Sequence, residues 1–499
     1  MSTPNPTTIA AIDLGSNSFH MIVARVEQDD NFRVVDRMRS MVRLAAGLDG
    51  EGNLTDKATA RALACLEQFG ERVRSLPRGA VRVVGTNTLR KARNAAVFIA
   101  RAEAALGHAI DIISGYEEAR LIYLGVSHGL DDEADIRLVV DIGGGSTEFI
   151  LGRRFDPLYM ESLHMGCVSH SAMHLADGVI SAATLHAAEI AARLELEPLE
   201  TNFRRIGWQS EIGASGSIIA IRDVISALGF SQDGITPPAL ARLKQVMIEA
   251  GRVERLDLPS LSEERRPVFA GGVAILAATF DALGLARMRV SQSALREGLL
   301  YDLLGRIQQE DVRERTVAEL VQRYQVEREQ GDRIDHTAQR LLAQCPPEWQ
   351  LAGEDQRRLL HWAAQLHEIG LAISHSQYQK HGEYLLSNHD MPGFARGEQR
   401  RLAALVRNHR RKLALPELHV LPPDQVAQVL RLVCVLRLAY VLHRRRASEH
   451  LPEVEFGVEG DTLRLRFPAG WLNEHPLTRA DLEQEASYLK PAGFKLKFK

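Results

Sequence analysis

The sequence predicts an α/β protein whose first three hundred or so residues hold a duplicated unit, followed by a helical region and a small α/β appendage. Three observations carry that expectation. Short β-rich runs alternate with helical stretches up to about Tyr301, one loop sequence occurs twice, and beyond Tyr301 the helical period takes over until a last alternating segment.

Taken in order, Ile9–Ile12 and His20–Val26 read as strands around a turn, and Val81–Val84 and Ile110–Ile113 as strands each followed by a helix. Leu138–Ile142 and Glu148–Gly152 form a second strand–turn–strand. Glu211–Gly213 opens one more strand, leading into a helix over Ile218–Leu228. Helical patterns then run through Leu341, Leu359–His367, Leu402–Val406 and Val426–Leu442. Thr462–Phe467 and Phe494–Phe498 read as strands on either side of a helix over Leu477–Leu489.

At 499 residues the chain is too long for one core, and its 45% hydrophobic and 25% charged residues are ordinary for a globular protein. A formal net charge of −3 counts against a globally basic nucleic-acid binder, and no nucleic-acid partner is expected, although a local basic groove remains compatible with it. No uninterrupted apolar run reaches the roughly 18 residues of a membrane span. Met1–Thr8 is polar and lacks a leader pattern. Cys65, Cys167, Cys345 and Cys434 show neither metal-type spacing nor a disulfide framework, so a cytoplasmic location is expected.

The repeat places Ala11-Ile-Asp13-Leu-Gly15-Ser16-Asn17-Ser18 against Val139-Val-Asp141-Ile-Gly143-Gly144-Gly145-Ser146. Two such loops in a duplicated unit are expected to face each other across a cleft. Glycines let backbone N–H groups approach a ligand, and successive N–H groups make a concave anion site. Ser16, Asn17, Ser18, Ser146 and Thr147 add side-chain donors, and the aspartate at each strand end suits Mg²⁺. Gly213-Ala-Ser215-Gly216-Ser217 opens a helix rich in small donors, a natural phosphate seat, although Ser217 also suits an N-cap. In Ser114-Gly-Tyr-Glu117-Glu118-Ala-Arg120, two carboxylates lie in the first turn of a helix, about 100° apart, so one can face a cleft and the other solvent; both also suit the helix dipole. Arg90, after the strand ending near Gly85, fits either a phosphate clamp or a solvated side chain.

In order along the chain, Asp13-Leu-Gly-Ser-Asn-Ser-Phe-His, Gly85-Thr-Asn-Thr-Leu-Arg, Ser114-Gly-Tyr-Glu-Glu-Ala-Arg, Asp141-Ile-Gly-Gly-Gly-Ser-Thr-Glu, Met165-Gly-Cys-Val, Gly213-Ala-Ser-Gly and Leu295-Arg-Glu-Gly resemble the motif set of the exopolyphosphatase/guanosine pentaphosphate phosphatase family. The resemblance implies two actin-like (ribonuclease H-like) lobes over 1–124 and 125–305, an all-α degenerate HD-like domain over 306–447 and a small α/β domain over 448–499. It implies Glu118 as the catalytic acid–base residue, and Asp141 and Glu148 as the acidic pair for Mg²⁺, with K⁺ as a candidate activator. Phosphate binding would fall to Gly15, Ser16, Asn17, Ser18, Arg90, Gly143, Gly144, Gly145, Ser146, Thr147, Ser215, Gly216 and Ser217. A homodimer and peripheral membrane association also belong to these expectations. Phosphoryl transfer asks for this division of labour, since it is mostly positioning and charge neutralisation around one carboxylate that orients the nucleophile.

The helical region carries His361, His367-Glu368, His375, His381, His389 and His409. An active HD site needs His followed by Asp, and here Glu stands second, so this domain is expected to bind substrate rather than cut it. Arg265, His375, Arg410, Arg411 and Lys412 form a candidate polyphosphate track, with Arg407 and His409 in the same basic cluster. Removal of terminal phosphate from inorganic polyphosphate is the expected activity, on the strength of Gly143-Gly-Gly145, Gly85 and Ser374-His-Ser376. Phe467-Pro-Ala-Gly-Trp471-Leu points instead to the sister activity on guanosine pentaphosphate. A non-catalytic sensor of polyphosphate or guanosine tetraphosphate, and an actin-like sugar kinase, are rivals of other classes.

Overall fold

The computed structural model describes residues 8–27, 32–130, 135–307, 311–446 and 451–499, so the residues before Thr8 and the boundary expected at 447/448 lie outside it. The chain forms two compact units, Met1–Asp311 and Val312–Lys499.

The first unit contains two five-stranded sheets. β1 (Thr8–Leu14), β2 (Phe19–Val26), β3 (Phe32–Ser40), β4 (Val81–Gly85) and β5 (Asp111–Ile112) run in the order β3-β2-β1-β4-β5. β6 (Ile136–Ile142), β7 (Thr147–Arg153), β8 (Asp156–Leu163), β9 (Ser210–Ala214) and β10 (Arg289–Val290) run in the order β10-β9-β6-β7-β8. Read from the other edge, the second order is the first, strand for strand. In both sheets the three leading strands pair antiparallel and the last two join in parallel. Asp13 pairs with His20 as Asp141 pairs with Glu148. Even the bulge recurs at the same place, between Val23 and Ala24 in one sheet and Leu151 and Gly152 in the other. The repeat in the sequence is therefore a repeat in topology and register.

β1 and β6 read as unbroken apolar runs because both of their faces are buried. Ile9 and Ala11 join Val139, Ile150 and Ile212 in a central cluster. Ala10, Ile12 and Leu14 turn outward onto the helices Asp56–Val73 and Ala95–Leu106, and Leu138, Val140 and Ile142 onto Ala182–Ile206 and Arg266–Leu283. The central cluster also holds the helices Gly115–His128 and Leu295–Ile307, one following the last strand of each sheet. These two helices touch backbone to backbone. A Cβ on Gly125 would land on the Ala294 carbonyl, and one on Gly298 on the Leu121 carbonyl. Arg120 bridges them, bonding Glu117 at 2.8 Å and Asp302 at 2.5 Å. The lobe boundaries expected at 124/125 and 305/306 fall inside these two helices.

The second unit packs helices Val312–Arg323, Arg328–Leu342, Glu354–Leu366, Tyr378–Asn388, Arg396–Asn408 and Pro423–Leu442 beside a sheet of β11 (Glu455–Glu459), β12 (Thr462–Arg466) and β13 (Lys495–Phe498). One hydrophobic core runs through the helical region and the appendage alike, from Leu360 and Val433 to Leu465 and Leu489. Arg437, fully buried, joins the two by bonding Glu485 at 2.5 and 3.0 Å. Among the described residues, two helical stretches, Arg266–Leu283 and Gln425–Leu442, are long and apolar enough to cross a membrane although charged residues interrupt each of them; both are mostly buried within their own units.

Candidate active site

The two hairpin turns of the repeat meet across a cleft of about 430 Å³, which also collects Ser215, Gly216, Ser217, Glu118 and the two strand-end aspartates. The turns share their geometry. A Cβ on Gly15 would lie 2.9 Å from the Ser18 carbonyl, and one on Gly143 3.1 Å from that of Ser146, so only glycine closes either turn without strain. The segment after β4 holds both: Thr88 Oγ1 donates to Ser16 Oγ at 2.8 Å, and Asn87 Nδ2 to the Gly145 carbonyl at 3.2 Å. In the second turn, the Gly143 and Gly144 carbonyls accept from Cys167 N and Val168 N, both at 2.9 Å, so these acceptors point at a helix start rather than at an anion. Ser215, where the third small-residue segment turns into its helix, adopts φ 79°, a strained conformation for a non-glycine residue.

Four carboxylates converge here. Glu118 is buried, and its Oε2 accepts from Arg90 Nη1 at 2.8 Å. Burial, together with the Glu118 charge, raises Asp13 to about 8 and Asp141 to about 7. The same causes, with Asp141, raise Glu148 well above the usual carboxylate range. Asp13 Oδ1 is buried without a hydrogen-bond partner among the described residues.

Several side chains differ from their expected roles. Arg90 does not line the cleft; it fixes Glu118 and donates to the Ile113 carbonyl at 2.9 Å. Thr147 is fully buried and its hydroxyl donates to the Met165 carbonyl at 2.6 Å, so it offers nothing to a phosphate. Glu148 lies behind the cleft wall, taking Ser162 Oγ at 2.8 Å, and Asp13 and Asp223 line the cleft with Asp141. Glu117 does not face solvent but is 1% exposed and held by Arg120. Gly15, Ser16, Asn17, Ser18, Gly143, Gly144, Gly145, Ser146, Ser215, Gly216 and Ser217 all line the cleft.

Sequence reasoning missed His20, Arg39, Thr86, Asn87 and Arg296, which line it too. Burial and the nearby Arg296 hold His20 down to about 3. Arg39, Arg265 and Arg296 have no carboxylate ion-pair partner among the described residues, which leaves three guanidinium groups for an anion. His20 and Arg296 sit inside the two motifs that end at His20 and begin at Leu295, so their positions were legible; Arg39, on an edge strand, carried no signal.

In the second unit, His375, Lys380, Arg410, Arg411 and Lys412 line a concavity of about 760 Å³. Arg407 lines it too but is itself mostly buried, and His409 does not line it. Arg407 is buried against Glu417 and Glu383 at 2.7 and 2.9 Å, and His409 is buried with its Nδ1 on the Val406 carbonyl. At the HD-like position, Glu368 is ion-paired to Arg446 and His367 is buried with Nδ1 on the Ala364 carbonyl.

Residues 21–307 match the Ppx/GppA phosphatase family, and 312–486 match its domain III. A guanosine-5'-triphosphate,3'-diphosphate pyrophosphatase of Aeromonas hydrophila is 41% identical over 490 residues, 98% of each chain. The protein of the same name from Vibrio cholerae is 42% identical over 488 residues, 98% of this chain and 97% of that one. Among solved structures, an exopolyphosphatase from Cytophaga hutchinsonii aligns with a TM-score of 0.53 and 25% identity over 60% of this chain and 97% of its own. The Aquifex aeolicus PPX-GPPA enzyme aligns at 0.51 and 22% over 59% and 99%, a likeness of fold. With cleft, motif order and relatives in agreement, the chain belongs to the Ppx/GppA phosphatase family, hydrolases that act on phosphoric anhydride bonds.

Proposed function

We propose that this chain removes the terminal 5′ phosphate of guanosine pentaphosphate. The observation that carries the reaction is the place of Glu118: a carboxylate fixed by Arg90, between two phosphate-type turns, in a cleft lined by Arg39, Arg265 and Arg296. Its Oε2 is engaged by Arg90, leaving Oε1 to orient a water and take its proton as that water attacks phosphorus. The amides of the two turns and the guanidinium groups hold the phosphate oxygens on which charge gathers. Asp13 and Asp141 fit Mg²⁺: Asp13 Oδ1 is an orphaned buried acceptor, and burial with the neighbouring acids drives both carboxylates toward protonation against the opposing charge of Arg296. Bound there, with Glu148 behind Asp141, the ion would neutralise phosphate charge. Mg²⁺ takes one or two carboxylates and fills its shell with water and phosphate, so no dense protein cage is required.

The choice of nucleotide rests on the relatives at 41% and 42% identity, which align along nearly the whole chain and outweigh the loop glycines that favoured polyphosphate. Hydrolysis of inorganic polyphosphate is the second reading, supported by the basic concavity of the second unit. Phosphate release from guanosine pentaphosphate and from long-chain polyphosphate, measured side by side with Mg²⁺, tests both. A kcat/KM about tenfold or more higher on the nucleotide is expected. The reverse order installs the second reading, and release from neither defeats both.

A further inference from the structure

His20 and Glu148 occupy the same place in the two halves of the repeat, opposite Asp13 and Asp141. His20 lines the cleft, and each ring nitrogen has one partner. Nδ1 lies 3.3 Å from Arg296 Nη1, and Nε2 lies 2.7 Å from Ser18 Oγ. A guanidinium has donors and no acceptor, so Nδ1 must be the bare nitrogen and Nε2 must carry the proton. Nε2–H then donates to Ser18 Oγ, and the hydroxyl proton of Ser18 has nowhere to go within that pair. It has no partner among the described residues, and Ser18 lines the cleft.

We infer that His20 is a positioning residue: with its tautomer set by Arg296, it fixes Ser18 as a hydrogen-bond donor to the phosphate held in the cleft. The first turn thus offers a proton to an anion. This rests on the reading of the cleft as a phosphoanhydride site. A single hydrogen bond to a charged oxygen, of the charge-assisted kind, is the quantity at stake.

The test uses the full chain and two readouts: the Kd for inorganic tripolyphosphate by calorimetry, which needs no turnover, and KM and kcat on whichever substrate the wild type hydrolyses. His20→Gln preserves the order of donors, since its amide oxygen can accept from Arg296 while its NH₂ donates to Ser18. His20→Leu removes the donor to Ser18 and adds no charge beside the anion. Expected are rises of about tenfold in Kd and KM for His20→Leu and Ser18→Ala, under threefold for His20→Gln, and no further loss when His20→Leu is added to Ser18→Ala. If His20→Leu does not fold, judged by thermal unfolding, His20→Met takes its place, with the same tenfold loss and the same lack of additivity. Equal effects of Gln and Leu, or full additivity with Ser18→Ala, would overturn the role of His20. A wild type that binds tripolyphosphate with variants in this order, yet hydrolyses neither substrate, would overturn the functional reading alone.

Discussion

Arg90 and Glu118 form the narrowest point of the chemistry. Arg90 takes one oxygen of Glu118, and Asp13, Asp141 and Glu148 all feel the charge of that carboxylate. Glu118→Gln keeps the shape and removes the base, so kcat should fall by about 10²–10⁴ while tripolyphosphate affinity stays within about threefold. Rapid-quench measurement of phosphate release would show it, and a kcat within threefold of wild type would move the base elsewhere. The same substitution has a signature in stability. Asp13 and Asp141 titrate higher in the fold than when unfolded, near 8 and 7 against an ordinary 3.8, so they favour the fold at low pH and that contribution is lost as pH rises through 7 and 8. Without Mg²⁺, the melting temperature should therefore decline between pH 6 and 8, less steeply in Glu118→Gln, and added Mg²⁺ should restore it. A flat profile in the wild type would contradict the crowding of acids. At this scale the motif showed which residues matter but not which way each points. The adjacent pair Glu117 and Glu118 offered one inward and one outward carboxylate, and only packing reveals that Arg120 and Asp302 draw Glu117 into the interior.

Among the elements, the crossing of the helices Gly115–His128 and Leu295–Ile307 depends on two glycines with no room for a side chain. Gly298→Ala should push the helices apart and cost about 1–3 kcal/mol, the usual penalty of overpacking. It should also lower kcat/KM, because Glu118 rides on one helix and Arg296 on the other. Chemical denaturation and steady-state kinetics would check both; an unchanged midpoint would mean the crossing yields easily. The central strands were legible because burial on both faces makes them apolar runs. β3 and β8 were not. β3 alternates half-buried and exposed residues, and Arg33, Asp36, Arg37 and Arg39 break its apolar pattern. Nothing local marks an edge strand that is held by its neighbour's ladder. β10 is only two residues long and is set by its parallel partner rather than by its own sequence, whereas β5, equally short, lies inside the strand expected over Ile110–Ile113.

For the molecule as a whole, histidine burial sets the response to acid. In the second unit, burial lowers His367 and His443 to about 4 and His409 well below the ordinary 6.5. Folded values below the unfolded one mean stability present at neutral pH and lost as pH falls from 6.5 toward 4. His361, raised by Asp335, and the raised Glu368 and Glu383 work the other way but have smaller shifts. In the first unit, the low His20 and His128 are set against the strongly raised Asp13, Asp141 and Glu148. The second unit should accordingly unfold first on acidification. Tryptophan emission reports on it, since Trp349, Trp362 and Trp471 lie there and only Trp208 in the first unit. A Trp208-only variant unfolding at the same pH as the wild-type signal would refute the order. The matched sheets carry a further consequence, about ancestry. In a symmetric dimer of a single such lobe, both turns would carry the same residue opposite the aspartate. Such a dimer could own two histidines or two glutamates, never one of each. Joining the halves in one polypeptide is what allows this protein to keep His20 in one half and Glu148 in the other.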